Sequence, residues 1–202
     1  EIEKKIIPMI NNLSNLKAVY YKNFDKLCEV VTNSIVNNGV VGWFQDKMEW
    51  GPRALGNRSI LGDPRDPNMR EIINLKIKRR EEFRPFAPSV LEEEAENYFL
   101  IKNPSPFMTS VFQVKNEVID KIPAVVHINN TARVQTISQK DNNKYYTLIN
   151  KFYEVTGIPM LLNTSLNVDE PICENPNNAF EVFTKTSMDM LVLQNWVLSK
   201  NS

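Results

Sequence analysis

The chain has 202 residues, of which 42% are hydrophobic and 24% charged, a balance typical of one globular domain with a substantial core. Lys plus Arg and Asp plus Glu each number 24, so the totals do not indicate a general polyanion binder, although zero net charge can conceal a local basic cleft. No apolar run is long enough to span a membrane. Cys28 and Cys173 show neither metal-ligand nor disulfide-framework spacing. These features predict a cytoplasmic protein.

The polar composition of residues 1–23, rich in Asn and Lys, predicts a linker or a packing arm from a missing N-terminal domain. The first residue is Glu1 rather than Met, which favours a chain cut from something longer. A single domain is predicted over residues 24–202.

The predicted elements start with a helix, because apolar residues recur at helical spacing over residues 24–35 and Gly39 suits a left-handed C-cap. Residues 40–44 follow as a short buried strand. A second helix is predicted to begin at Asp66, with Pro67 in its first position.

Further along the chain, helical spacing predicts a helix that Gly157 ends and another that Asn175-Pro176 opens. Helices and strands alternate without a repeat, which predicts a single-domain α/β fold around a twisted, mostly mixed sheet. The predicted strands are 107–114, a hairpin of 124–128 with 132–137, 158–162, 190–193 and 196–198.

The segment 49–59 is the most informative part of the sequence. Its two glycines, Gly51 and Gly56, permit positive φ and close backbone approach, and between them Arg53 sits on a short constrained loop, followed by Arg58. A guanidinium is a planar fork suited to phosphate oxygens. The alternative is a structural turn whose arginines pair with surface carboxylates.

A second basic cluster runs from Lys78 to Arg80 and continues with Arg84 among Phe and Pro residues. Arg79 and Arg80 suit a solvated helix end. Lys78 and Arg84 are better explained by a phosphate partner, because charges among bulky apolar residues need a partner. The alternative is an internal carboxylate, for which Glu81 and Glu82 are the candidates.

Polar residues near two later strands complete the candidate site. Arg133 shares one face of an alternating strand with Thr131 and Gln135. Asn163 and Ser165 directly follow a buried strand, where open α/β sheets bind ligands. The alternative for the latter pair is an ordinary turn, because Asn and Ser are common turn formers.

Several other kinds of site find no support in the sequence. His127, the only histidine, is more often structural than catalytic in such a position. No metal-ligand cluster, Ser-His-Asp spacing or Walker-type glycine loop is present. Any phosphate site must therefore be built from arginine and lysine side chains.

Taken together, these segments resemble the C-terminal domain of the carbamoyltransferase family that includes nodulation and antibiotic-tailoring enzymes. The order and spacing agree from about Phe24 to the end of the chain. The residues that carry the resemblance are 42–45, 48–59, 63–65, 74, 77–78, 83–90, 131–136, 162–167 and 170–172.

The resemblance implies a YrdC/Sua5-like fold that takes ATP, with Mg²⁺, and carbamoyl phosphate and forms carbamoyladenylate. A separate N-terminal, Kae1-like domain with its own metal, absent from this chain, would pass the carbamoyl group to a hydroxyl or amine. The implied catalytic residues are Arg53, Lys78 and Arg84. The implied ligands of ATP and carbamoyl phosphate are Arg53, Arg58, Lys78, Arg84, Arg133, Asn163 and Ser165.

One position departs from the family pattern, since Asn129-Asn130 stands where the family has Asp-Gly. Asn tolerates left-handed backbone, so the turn could be kept or the activity lowered. Two other functions stay open, a noncatalytic nucleotide- or RNA-binding module and a degenerate structural domain. Against RNA binding, the basic residues form three short motifs rather than an extended stripe.

Overall fold

An eight-stranded mixed sheet forms the centre of the protein in a computed structural model, which describes residues 16–78 and 86–200 together with Pro8. The strand order is β1-β10-β9-β2-β3-β8-β4-β7, with β2/β9 and β4/β7 parallel and the other neighbours antiparallel. A separate pair is formed by β5 and β6. The predicted α/β fold with a mixed sheet is confirmed. The strands are β1 Leu16–Tyr20, β2 Val41–Phe44, β3 Arg58–Gly62, β4 Ala87–Leu91, β5 Phe112–Gln113, β6 Thr131–Ala132, β7 Gln135–Ile137, β8 Met160–Ser165, β9 Met190–Leu193 and β10 Trp196–Lys200.

The helices pack against the sheet and close a continuous apolar core. Their ends follow the sequence signals: the side chain of Asn23 caps the first helix, Gly157 ends the fourth with left-handed φ, and Asn175 forms a capping box with Asn178. The first helix ends with Asn37 as its C-cap, before the predicted Gly39. The helices are α1 Phe24–Val36, α2 Met69–Ile73, α3 Ala95–Tyr98, α4 Asn143–Thr156 and α5 Pro176–Lys185.

Two interior strands of the sheet, β3 and β4, lie where the sequence predicted none. All five residues of each are buried. Strand β4 contains Pro88, which usually argues against a central strand. It is tolerated because the pairing with β7 begins one residue later, at Ser89.

The predicted hairpin of 124–128 with 132–137 is wrong. Residues Pro123–Val125 form a 3₁₀ turn, β6 pairs with β5, and β7 pairs with β4. The alternating pattern is satisfied by strands distant in sequence, which periodicity alone does not identify.

Three boundaries also differ from prediction. In the predicted strand 107–114 only β5 forms, because Met108 adopts a left-handed φ of 52°. The second helix, predicted from Asp66, begins at Met69. Residues 16–20, part of the predicted linker or packing arm 1–23, form β1, which pairs with β10 at the edge of the sheet.

Candidate functional site

A cavity of about 90 Å³ opens beside β4 and β8 and brings four of the predicted site residues together. Arg53, Arg133, Asn163 and Ser165 line it. Among the described residues, its wall contains two arginines and no carboxylate, so this part of the cavity is suited to an anion. The described residues that line it are Pro52, Arg53, Ala54, Phe86, Ala87, Met108, Arg133, Asn163, Thr164 and Ser165.

The loop that carries Arg53 is held by a carboxylate to which the sequence analysis gave no role. Glu49 Oε1 accepts hydrogen bonds from the backbone N–H groups of Leu55 (2.6 Å), Asn57 (2.8 Å) and Arg58 (3.0 Å). One oxygen thus accepts from three backbone donors at the end of the loop, much as an N-cap carboxylate binds a helix start. Only the short sequence distance between Glu49 and the glycine-rich turn could have indicated this role.

Buried amides hold the same loop from the opposite side. Asn163 Nδ2 donates to the carbonyl of Ala54 (3.1 Å), and Gln135 Nε2 donates to the carbonyl of Leu55 (2.9 Å). The two side-chain amides are also joined to each other. Asn163 Nδ2 donates to the Ser89 hydroxyl and to Gln135 Oε1, and the Ser89 hydroxyl donates to Gln135 Oε1. Because Asn163 and Gln135 are almost fully buried, these bonds hold the loop against the sheet. Asn163 therefore acts as a support for the loop as well as a wall of the cavity.

Arg53 itself remains exposed above this rigid base. It forms no hydrogen bond or ion pair with any residue in the described ranges. A fork held on a fixed backbone, with its donors open to solvent, loses little entropy on binding an anion.

Arg133 also lines the cavity, from the break between β6 and β7. Burial, followed by the charges of Arg133 and Arg70, lowers the pKa of His127 below its ordinary value. His127 is therefore neutral at pH 7, and it does not line the cavity. This placement agrees with a structural role for the histidine.

Lys78 does not line the cavity but contacts Ser165, which does. It ends a π-helical turn, Asn74–Lys78, that continues α2. Its ammonium is surrounded by the carbonyl and hydroxyl of Ser165 (2.6 and 3.3 Å) and by the carbonyl and side-chain oxygen of Asn167 (2.8 and 2.7 Å). Lys78, predicted as a catalytic residue, thus positions Ser165 from behind the cavity wall. Asn167, which also accepts from the Ser165 hydroxyl (2.7 Å), was not predicted as a site residue.

Replacing Lys78 with Met should lower the free energy of unfolding by about 3 kcal/mol, because several buried oxygens lose a charged donor. Urea denaturation would measure the change. Lys76→Met is the matched control, since Lys76 forms only a partly exposed ion pair with Asp189, and such pairs contribute at most about 1 kcal/mol. Equal losses in the two variants would contradict the structural role of Lys78.

Arg58 does not reach the cavity, contrary to prediction. Only 2% of its surface is exposed, and its guanidinium lies 3.5 Å from the centre of the Phe44 ring. Its terminal nitrogens donate to the carbonyls of Gln45, Asp46 and Asn57. Burial lowers its pKa. Arg58 therefore joins β2 to the end of the Arg53 loop and is not placed to bind a phosphate.

Arg84 lies outside the described residues, as do Arg79 and Arg80. In sequence it stands two residues before Phe86, which lines the cavity. Its predicted contact with a phosphate stays a prediction.

The turn at Asn129-Asn130 keeps the backbone conformation that glycine would favour. Asn130 has a left-handed φ of 56°, and its carbonyl accepts from the backbone N–H of Val114 and the side chain of Gln113. The Asn129 side chain accepts from the hydroxyl of Thr131 (2.7 Å). The departure from Asp-Gly therefore leaves a closed turn.

Substituting Asn130 with Gly should change stability by less than about 0.5 kcal/mol, while Asn130→Ala should cost about 1 kcal/mol, because alanine resists left-handed φ. Thermal unfolding of the two variants would measure this difference. An alanine variant as stable as the glycine variant would show that the turn is not held in this conformation.

Two further sequence predictions concern membranes and metals. In residues 16–78 and 86–200, no helix combines the length and apolar character needed to cross a bilayer. The same ranges hold no group of three or more His, Cys, Asp or Glu side chains suited to a metal ion. The prediction that the chain itself binds no metal is not tested by this observation.

Comparison with solved structures shows the fold. The crystal structure of P. abyssi Sua5 complexed with L-threonine matches 85% of this chain and 47% of Sua5, with a TM-score of 0.60 and 13% identity. Full-length HypF in its phosphate- and nucleotide-bound form matches 92% of this chain and 22% of HypF, with a TM-score of 0.52 and 18% identity. These likenesses confirm the predicted YrdC/Sua5-like fold.

Sequence comparison shows the family. The model described as "Carbamoyltransferase C-terminus" matches residues 32–200. The nodulation protein NolNO of Sinorhizobium fredii is 44% identical over 172 residues, which cover 83% of this chain and 25% of NolNO. The chain spans between 25% and 34% of the length of the first curated relatives it matches. Its match over most of its length places the chain in the carbamoyltransferase C-terminus family.

Proposed function

We propose that this domain binds ATP and carbamoyl phosphate and forms carbamoyladenylate. Carbamoyl phosphate loses inorganic phosphate to water and leaves carbamate. A carbamate oxygen then attacks the α-phosphorus of ATP, and the bond from that phosphorus to the bridging oxygen of pyrophosphate breaks. The products are carbamoyladenylate, phosphate and pyrophosphate.

The observation that carries this proposal is the rigid loop that presents Arg53 at the same cavity as Arg133, with no carboxylate among the described residues of the wall. Joining two anions requires that their repulsion be offset before they meet. Two guanidinium groups at one small cavity can hold phosphoryl oxygens and stabilise the charge that grows on the leaving group. The rest of the acceleration comes from positioning.

Individual residues take different parts in this proposal. Arg53 and Arg133 bind phosphate oxygens, and Arg84 is expected to add a third cation. Ser165 contacts the ligand as part of the cavity wall, while Lys78 and Asn167 hold its hydroxyl in place. Mg²⁺ enters with ATP as part of the substrate.

The remaining chemistry belongs to a longer protein. We propose that a separate Kae1-like domain, N-terminal to this one and carrying its own metal, transfers the carbamoyl group to a hydroxyl or amine. The curated relatives are about three or more times longer than this chain, which leaves room for such a domain. The family and the closed Asn129-Asn130 turn favour an active domain over a degenerate one.

The test is pyrophosphate release by the purified chain, measured with ATP and Mg²⁺ in the presence and absence of carbamoyl phosphate. We expect release that requires both substrates. ATP binding without release under any of these conditions would instead support a noncatalytic nucleotide-binding module. Salt-dependent binding of RNA that ATP does not compete for would support the RNA-binding alternative.

A further inference from the structure

The turn that joins α1 to β2 contains Asn38-Gly39, the only Asn-Gly pair in the sequence. The backbone N–H of Gly39 donates to the carbonyl of Ser34 (2.8 Å), and the backbone N–H of Asn38 donates to the carbonyl of Ile35 (3.0 Å). Together these bonds form a Schellman motif, which closes the C-terminus of a helix. Asn38 follows the C-cap Asn37, at the position that takes left-handed backbone in this motif, and its φ is 62°.

The geometry of this turn accounts for both residues of the pair. Asparagine is one of the few residue types besides glycine that readily adopt left-handed backbone. Gly39 is required by close approach, since an added Cβ would lie 2.4 Å from the hydroxyl oxygen of Ser34 and 2.7 Å from its carbonyl oxygen. The carbonyl belongs to the helix backbone and cannot move aside as a flexible side chain can. The fold therefore favours an Asn-Gly pair at this turn.

An asparagine that precedes glycine stands next to its own nucleophile. The backbone nitrogen of Gly39 loses its proton to solvent and attacks the side-chain carbonyl carbon of Asn38. The new C–N bond closes a succinimide ring, and the side-chain nitrogen leaves as ammonia. Water then adds to either carbonyl of the ring and breaks its bond to nitrogen, which yields aspartate or isoaspartate. Glycine favours this ring closure because no side chain shields its nitrogen.

The surroundings of Asn38 differ from those of the other asparagines nearby. Asn38 is exposed, and its side-chain amide forms no hydrogen bond with any residue between 16 and 78 or between 86 and 200. The Asn37 side chain, in contrast, donates to the carbonyl of Asn33 (2.7 Å), and Asn37 precedes another asparagine. Asn33 lies within α1, where helical hydrogen bonds hold the next backbone nitrogen.

One hydrogen bond restrains the reaction in the folded chain. The N–H of Gly39 must leave the carbonyl of Ser34 before the nitrogen can attack, so ring closure requires the last turn of α1 to open. Helix ends open locally at much lower cost than the whole fold. The reaction is therefore slowed by the turn but does not need global unfolding.

From these contacts we propose that Asn38 is a site of spontaneous deamidation whose rate is set by local opening of the turn after α1. The product carries a new carboxylate at the end of the helix, where the macrodipole disfavours negative charge. The last turn of α1, which the structure describes in full, contains no basic residue to offset it. Isoaspartate also lengthens the backbone and disrupts the Schellman motif. The modified chain is therefore less stable than the original chain.

The experiment is prolonged incubation of the purified chain at mildly alkaline pH, followed by trypsin digestion and tandem mass spectrometry. Cleavage after Lys26 and Lys47 leaves Asn33, Asn37 and Asn38 on one peptide, so the first two asparagines are internal controls. We expect deamidation at Asn38 and intact amides at the two controls. Unfolding the chain in guanidinium chloride should speed deamidation at Asn38 about tenfold or more, because the turn no longer has to open.

Asn38→Gly is the matched control variant, because glycine keeps the left-handed backbone and lacks the amide. Its Tm should stay constant during the incubation, whereas the Tm of the wild-type chain should fall by about 2–4 °C once Asn38 is converted. A wild-type chain that keeps its Asn38 amide, or that deamidates equally fast at Asn33 and Asn37, would overturn the assignment. Equal rates in the folded and unfolded chain would contradict control by the turn.

Discussion

Replacing Arg53 with alanine is expected to reduce carbamoyl-phosphate-dependent pyrophosphate release by about 100-fold or more, the usual effect of removing one donor that stabilises transition-state charge. The free energy of unfolding should change by less than about 0.5 kcal/mol, because the side chain is exposed. A continuous coupled assay for pyrophosphate and a urea titration would measure the two quantities.

A conservative variant separates charge from geometry. Arg53→Lys keeps the charge but loses the planar fork that binds two phosphate oxygens. We expect its rate to lie between those of the wild type and the alanine variant.

The matched control for lost charge is Lys17→Ala. Lys17 is an exposed residue of β1, five strands from β8 in the sheet, a separation of about 24 Å at the usual strand spacing. Its rate should equal that of the wild type. If Arg53→Ala released pyrophosphate as fast as this control, Arg53 would have no part in the reaction.

The second large effect is expected from Gly56→Ala. A Cβ atom at this position would lie 2.2 Å from the Tyr145 ring, and the residue has a φ of +105°. Strain and overpacking each cost about 1–3 kcal/mol, so the variant should lose about 3 kcal/mol or more. For a chain of this size that loss corresponds to a fall in Tm of roughly 10 °C.

Gly51→Ala provides the comparison for this prediction. Gly51 has a similar φ of +100°, but an added Cβ would meet nothing within 4 Å. It should therefore lose only the conformational term, about 1 kcal/mol. Differential scanning calorimetry of both variants would isolate the contact with Tyr145, and equal Tm values would show that α4 does not pack against the loop as described.

The loop between Gly51 and Gly56 could be identified from the sequence because its signals are local. The conformation of a glycine depends mainly on residues close in the chain. Both glycines do have positive φ. The caps at Asn23, Gly157 and Asn175 were predictable for the same reason.

The partners of the basic side chains could not be predicted in the same way. Arg58 and Lys78 were both predicted to bind an anion, yet the fold surrounds both with oxygens of the chain itself. Lys78 meets Ser165 and Asn167 across 87 and 89 residues of sequence. No periodicity or spacing indicates which distant carbonyl a lysine will meet.

The strands also differ in whether local sequence predicts them or long-range pairing decides them. Strand β2 was predicted from its apolar run. Strand β4 was not predicted, because it contains Pro88 and a proline usually argues against a strand. The β4 segment becomes a strand because β8 and β7 pair with it on either side.

The sequence by itself determined the family, the α/β class, the helix caps and the turn that exposes Arg53, since each depends on local backbone preference or an ordered set of motifs. Only the tertiary structure decided which basic residues line the cavity, because long-range pairing sets the distance between distant side chains. It left Arg53 and Arg133 at the cavity and enclosed Arg58 and Lys78 among backbone oxygens. Burying a charge is tolerated only where such partners surround it, and they come from segments that meet only in the folded chain.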